Sequence, residues 1–435
     1  MARHAIALLF SAAIFLATTQ CAVAAPPDAP AAAPSVSDRQ SQIRVYVLTF
    51  GPGDDAWEKF GHNAIRVVDD TVSGPWHDVA FNWGTFEFDD SFYWNFLQGR
   101  LNYSLDAELG QQTIDAYAKA DRTVRQQELN LSLEQKRLLL HKLSENYKPE
   151  NRHYRYDYYR DNCSSRIRDI IDEVSGGSLG AVSKGIPSGT TYRWHTRRLD
   201  QGTPWLYVAL QAVLGQPVDR PIDEWNEMFL PEKLYDRLAE AKTYLNGARM
   251  PLVKSDQTLY ASHRAAEPAR PATTWPWFLA AGVALAGAFA TTGHFARRHW
   301  AARWGLVALS TPWLLLMALG GIICGWAWFC TDHVVARHNE NLMHVSILAL
   351  PLLLGMPMLA FGRRRWANFF RNCAALMVAI SALGLLLKAL PWFYQVNFDI
   401  IALCLPANAA LALVAWKLAE KPAPEIPVKN KARTQ

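Results

Sequence analysis

The chain has 435 residues, of which 50% are hydrophobic and 19% charged, with 44 Lys and Arg against 39 Asp and Glu for a formal charge of +5. That apolar share excludes a disordered, solvated chain, and the small surplus comes largely from the gaps between C-terminal apolar runs and from the tail, so it says little about nucleic acid. The sequence holds no P-loop, no G-x-G-x-x-G after a strand, no paired C-x-x-C and no H-E-x-x-H.

At the N-terminus, Arg3 and His4 precede an apolar stretch over residues 5–18, and Ala22-Val23-Ala24 is a small-x-small cleavage site. This pattern predicts a signal peptide over residues 1–24. A cut after Ala25 would leave Pro26 directly behind it, and Gln20 before Cys21 is a poor fit to a lipoprotein signal. Residues 25–41 are Ala/Pro-rich, an extended linker.

Residues 42–250 carry charges and aromatics throughout and are numerous enough for a buried core. Residues 44–50 (RVYVLTF) alternate and predict a strand, and a short helical piece over residues 56–60 follows a turn. Gly61 to Val68 and Asp78 to Trp83 predict a second and a third strand. If these two form a hairpin centred near Val72, His62 lies across from Asn82 on one face, with Cβ atoms roughly 5 Å apart. His77 has the opposite parity and points to the other face, so Asn82 is the favoured partner of His62.

Residues 162–174 predict a helix with an apolar stripe of Ile167, Ile170, Ile171 and Val174, capped by Asp161 or Asn162 and ended by Gly176-Gly177. Cys163 falls in its first turn. Once the signal peptide is gone, Cys163 is the single cysteine of the exported part, because Cys324, Cys330, Cys373 and Cys404 lie in or beside the apolar C-terminal third. A disulfide within the exported domain is therefore impossible in one chain. A lone thiol on a helix is most often core packing. A helix start, however, stabilises a thiolate and supplies backbone N–H groups for an oxyanion, and a nearby histidine completes a nucleophile.

Other features carry less chemistry. The aromatic stretch 86–103 is expected to be packing, with residues 99–103 a conceivable groove for acyl chains. Residues 154–160 (YRYDYYR) form a basic-aromatic run that an exported domain would not use on nucleic acid. Residues 255–274, rich in Ala, Pro and small polar residues, predict a joint, making residues 251–274 a linker.

Five apolar runs follow, over residues 275–295, 305–329, 343–361, 373–390 and 400–416. Each approaches the ~20 residues that cross a bilayer. Arg297, Arg298 and Arg303 fill the first gap, Arg363, Arg364, Arg365 and Arg371 the third, and lysines follow Trp416. The positive-inside rule then places residues 42–250 outside and the tail, residues 418–435, in the cytoplasm. Asp332, His333 and His338 in residues 331–341 offer a metal or lipid-headgroup site, but a solvated outer loop is the expectation there, and Lys388 is expected to snorkel from the end of its span.

The order of histidine on a strand, polar residue on the next and cysteine at a helix start resembles the circularly permuted papain-like enzymes related to lecithin:retinol acyltransferase. His62-Asn63-Ala64-Ile65-Arg66-Val67 and Asn162-Cys163 carry that likeness. More closely, residues 44–200 resemble the N-terminal periplasmic domain of the Lnb family of bacterial lipoprotein N-acyltransferases. The matching segments are TFGPG at 49–53, FGHNAIRV at 60–67, FNWGTF at 81–86 and RDNCSSR at 160–166.

The resemblance implies an α+β, permuted papain-like domain of antiparallel sheet plus helices, followed by an all-α bundle of five transmembrane helices over residues 275–417. It implies Cys163 as nucleophile and His62 as its base, with Asn82 the third member chosen here. It further implies acyl transfer from a phospholipid, through a Cys163 thioester, to the N-terminal amine of a diacylglyceryl-lipoprotein at the inner membrane, with no cofactor and no metal. Two other readings stand beside it: a membrane-anchored cysteine peptidase or amidase acting on cell-wall peptides, and a non-catalytic envelope assembly protein.

Overall fold

The computed structural model describes residues 42–86, 91–245 and 247–420. The signal peptide, the linker over residues 25–41 and the tail beyond residue 420 lie outside the described residues. The chain divides into two compact units, one built from Met1–Gly202 with Arg220–Pro271, the other from Thr203–Asp219 with Ala272–Gln435.

The first unit is a seven-stranded, wholly antiparallel sheet with helices on both faces. Its strands are β1 (Arg44–Phe50), β2 (His62–Val68), β3 (Asp78–Thr85), β4 (Asn102–Leu109), β5 (Val124–Leu129), β6 (His153–Arg155) and β7 (Val253–Tyr260). The spatial order is β7-β5-β1-β2-β3-β4-β6. Its helices are α1 (Phe92–Gln98), α2 (Gly110–Lys119), α3 (Leu133–Tyr147), α4 (Cys163–Val174), α5 (Tyr192–Asp200) and, after an excursion through the other unit, α7 (Pro231–Glu240).

Strand parity separates two cores. On one face Val45, Val47, Ile65, Val67, Phe81 and Trp83 pack with Leu139 and Leu143 of α3 and with Ile167, Ile171 and Val174 of α4. Those three α4 residues, at i, i+4 and i+7, form a single apolar stripe. On the opposite face Leu48, Phe50, Ala64, Ala80 and Val124 pack with Ile114 of α2. Central β1 is buried from its second residue to its last, as a strand covered on both sides must be.

One boundary differs from the sequence expectation. Residues 253–260 are not linker but the edge strand β7, paired with β5 through Val253↔Leu129, Asp256↔Gln127 and Tyr260↔Val124. The strand is mostly exposed along its length, so its sequence shows no apolar alternation for periodicity to detect.

The second unit contains α6 (Pro204–Val213), α8 (Trp275–Ala296), α9 (Trp300–Phe329), α10 (Ala349–Ala360), α11 (Ala367–Leu387) and α12 (Phe398–Ala419). Four of these, α8, α9, α11 and α12, are long and apolar enough to cross a membrane, rather than the expected five. The run 343–361 yields only α10, which at 12 residues spans about 18 Å. Pro351 explains the late start: it stands in the first turn of α10, whereas a helix begun at residue 343 would hold it in the interior. The non-helical residues His344 and Val345 before it are buried in protein, the setting in which irregular backbone is tolerated at membrane depth.

α8 and α12 cross closely at Gly282, where a Cβ would come within 2.6 Å of the carbonyl oxygens of Ala402 and Leu403. The segment 331–341 is not a solvated loop either. Asn339, Glu340 and Asn341 are buried. Asn339 Nδ2 donates to the carbonyls of Ala212 (2.8 Å) and Val213 (2.9 Å), and Asn341 Nδ2 donates to that of Gln211 (2.8 Å). These amides satisfy the open C-terminal carbonyls of α6. Lys388 does not snorkel: its ammonium pairs with the buried Glu340 carboxylate and donates to the Gln395 carbonyl (2.6 Å).

Candidate active site

Cys163 is the first residue of α4, and its cap is built from Asn162. The Asn162 side chain accepts from Ser165 N (2.9 Å) and donates to the carbonyls of Tyr158 (3.1 Å) and Phe229 (2.9 Å), while its own N–H donates to Ser165 Oγ (2.8 Å). These bonds commit Asn162 to holding the helix start. Asp161 grips Arg166 with both carboxylate oxygens, at 2.6 and 2.8 Å. The helix is also tied to the sheet: Ser164 Oγ donates to Asn63 Oδ1 (2.6 Å), and Asn63 Nδ2 donates to Thr49 Oγ1 (2.8 Å).

His62 opens β2. Gly61 before it has φ +78°, and a Cβ there would lie 2.7 Å from the Phe50 carbonyl oxygen, so only glycine fits. The His62 ring lies parallel to Phe50 and Tyr117 at centroid distances of 5.9 and 6.0 Å. Its Nε2 is 3.3 Å from Asn82 Oδ1, and the ring also hydrogen-bonds the Cys163 thiol. Asn82 Nδ2 donates to Glu108 Oε2 (3.3 Å), which also accepts from Thr113 Oγ1 (3.0 Å). With its amide so oriented, Asn82 presents oxygen rather than nitrogen to the imidazole.

Cys163, His62 and Asn82 thus come together at the N-terminal end of β2. Cys163 is 7% exposed. Burial pushes its thiol up, but the positive charge of His62, a hydrogen bond from that ring and the N–H groups of Asn63 and Ser164 together outweigh burial and hold it below the ordinary thiol value. The arrangement is a thiol poised to ionise, a proton carrier beside it and an amide that fixes the carrier. His77 stays away, as its parity requires, with Nδ1 on the Gly74 carbonyl at 2.9 Å.

The sequence reading missed the tyrosines around the sulfur. Tyr154 and Tyr156 lie within electrostatic reach of Cys163, and burial raises the pKa of both. The Tyr154 hydroxyl is buried and meets no hydrogen-bond partner among the described residues. Gly84, at φ +95° in a bulge of β3 just past Asn82, adopts a backbone conformation that favours glycine, and a Cβ there would make ordinary contact with Tyr156 (3.7 Å) and the Tyr154 hydroxyl (4.0 Å). The every-second-residue spacing of Tyr154, Tyr156 and Tyr158 was the available signal.

A second buried histidine, His195, has both ring nitrogens engaged, Nε2 with Glu227 (2.9 Å) and Nδ1 with Arg198 Nε (3.1 Å), and lies outside the site. Asp332, His333 and His338 do not gather as metal ligands; no group of three or more such side chains does among the described residues.

Residues 35–198 match the family model described as the Lnb N-terminal periplasmic domain, a span that holds Cys163, His62 and Asn82. No curated protein and no solved structure matches the chain. With its apolar helices, the chain is a membrane protein that carries a periplasmic N-terminal domain. Over residues 35–198 the chain is similar to the N-terminal domain of the Lnb family.

Proposed function

We propose that the protein is a membrane-bound cysteine acyltransferase that moves a fatty acyl chain from a phospholipid, through a thioester on Cys163, to the N-terminal amine of a lipoprotein. The observation that carries this reading is the lowered Cys163 thiol at a helix start, hydrogen-bonded by a histidine that Asn82 orients.

The Cys163 thiolate attacks the ester carbonyl of the donor lipid, and the sulfur–carbon bond forms as the carbon–oxygen bond breaks. His62 gives the leaving alkoxide its proton, and lysophospholipid departs. The α-amine of a diacylglyceryl-lipoprotein then attacks the thioester carbonyl. His62 takes the amine proton, the amide forms and Cys163 is released. The donor ester is activated enough for exchange with a thiol, so Cys163, His62 and Asn82 suffice for both steps.

The second unit suits two membrane-bound substrates. Large aromatics stand exposed at both ends of its helices: Trp275, Trp277 and Trp392 at one, and Trp300, Trp304, Trp366 and Trp416 at the other. The second set lies with Arg297, Arg298, Arg303 and Arg363–Arg365. These girdles and charges support an orientation with the first unit periplasmic and the C-terminus cytoplasmic.

The test is mass spectrometry of a lipoprotein's N-terminal peptide from cells depleted of their own N-acyltransferase. The parent protein is expected to restore the N-acylated form and stably expressed Cys163→Ala to leave it absent. N-acylation that survives in Cys163→Ala would overturn the thioester route. Parent protein that is expressed yet yields only diacylated product would turn attention to cell-wall peptides as substrates.

A further inference from the structure

Among the described residues of the first unit, α1 and Trp57 carry a cluster of large exposed apolar side chains. Tyr93 is 69% exposed, Trp94 61%, Leu97 48%, Phe96 41% and Trp57 61%. No residue of α1 is charged. Contiguous apolar surface of this kind on a globular unit marks an interaction site.

The patch is joined to the thiol by rings. Trp57 meets Phe86 edge-on at 6.5 Å, Phe86 stacks on Phe92 at 5.3 Å and on Tyr103 at 5.0 Å, and Tyr103 lies 4.4 Å from Tyr156. Tyr156 in turn packs against the core cluster that contains Cys163. The backbone fixes the same path: Arg155 Nη2 donates to the carbonyl of Gly99 (3.4 Å), the cap of α1, and Tyr156 N donates to that of Leu101 (2.9 Å).

We propose that α1 and Trp57 rest in the interfacial layer of the bilayer and pass a lipid acyl chain along Phe86, Tyr103 and Tyr156 to Cys163. The inference rests on the acyl-transfer reading and names where its donor enters. Tryptophan and tyrosine, apolar bodies with a polar tip, are the side chains that settle at a membrane surface. Four apolar helices in the same chain keep that surface at high effective concentration, which a freely diffusing protein partner would lack.

The test uses the full chain as Cys163→Ala in proteoliposomes made with a phosphatidylcholine whose acyl chain carries a photoactivatable diazirine. Labelled peptides are mapped by mass spectrometry. Label is expected on residues 91–98 and on Tyr103 or Tyr156, besides the spanning helices. With Cys163 restored, a Trp94→Ser/Leu97→Ser variant should transfer long acyl chains about tenfold more slowly, the scale set by withdrawing large side chains from apolar surroundings. Alkylation of Cys163 by a small reagent should be unchanged, which shows that the variant is folded.

Heavy labelling of the spanning helices with none on residues 91–98 would overturn the inference, and would mean that a protein or another part of this chain covers the patch. N-acyl product made without such label would sink the inference alone. Label on residues 91–98 with no N-acyl product would support the patch and sink the acyl-transfer reading.

Discussion

His62 Nε2 and Asn82 Oδ1 lie 3.3 Å apart although the two residues are not opposite one another in the β2–β3 ladder. The observed pairs, Ile65↔Phe81 to Val68↔Asp78, set Asn82 level with Ala64 when continued. His62 and Asn82 are therefore diagonal neighbours on one face. A diagonal contact suits a side chain that must reach along the strand, and it leaves the imidazole edge free to turn toward α4.

Asn82→Ala removes the oxygen that orients His62 and leaves the Glu108 carboxylate without that donor. Acyl-transfer turnover is expected to fall by up to about a hundredfold, the cost of a misplaced catalytic group. Thermal stability should change little beside that loss. Comparing turnover with melting temperature for Asn82→Ala and Asn82→Asp checks this; wild-type turnover in Asn82→Ala would remove Asn82 from the site.

The direction of the Cys163 shift sets a pH profile. A thiol held below its ordinary value stays ionised as pH falls through the ordinary thiol range, and loses its charge only as pH passes the lowered value. Alkylation of Cys163 by iodoacetamide, followed on its own peptide, should therefore persist at pH values where an ordinary thiol has stopped reacting. His62→Gln withdraws the positive charge and should move that profile upward. An unchanged profile in His62→Gln would place the cause elsewhere.

Asn162→Ala tests the helix start without touching a reacting atom. The cap oxygen is worth about 1 kcal/mol. The Tyr158 and Phe229 carbonyls that lose their donor add roughly 1–3 kcal/mol. Pulse proteolysis of the full chain should show the first unit destabilised accordingly, whereas Asn162→Asp should keep the cap and lose only the donated bonds.

Asp200 is fully buried, and neither of its carboxylate oxygens meets a hydrogen-bond partner among the described residues. Burial pushes its carboxyl up to about 7. The folded unit then holds a proton that the unfolded chain has released, so stability is greatest below the unfolded value near 4 and declines as pH rises toward 7. The decline is bounded at roughly 4 kcal/mol. Asp200→Asn is expected to raise the melting temperature at pH 8 and flatten its dependence between pH 5 and 8; a variant that melts lower than the parent at pH 8 would contradict this.

Much of the site was legible because its signals are local. Strand alternation gave β2 and β3, side-chain parity selected Asn82 over His77, and Asn162 with Gly176-Gly177 bounded the helix that begins at Cys163. The hairpin centre came out one residue early, which shifts the pairing by two and preserves the face. What stayed hidden depended on distant partners. The YRYDYYR run shows its role only once Tyr154 and Tyr156 fold against β4 and the sulfur. β7 is recognisable through its pairing with β5. The polar residues of 331–341 become interior only because α6, more than a hundred positions earlier, needs its last carbonyls filled.

The pairing of β7 with β5 also constrains how the protein can be made. The chain leaves the first unit at Gly202, returns at Arg220 and delivers its seventh strand only at residues 253–260, immediately before α8. During synthesis the β5 edge waits unpaired until almost all of the periplasmic portion has emerged, a period in which an open edge can capture another chain. The same order bears on any fragment of the chain: one that stops at residue 250 discards an edge strand, while one that runs to residue 271 keeps all seven strands of the sheet.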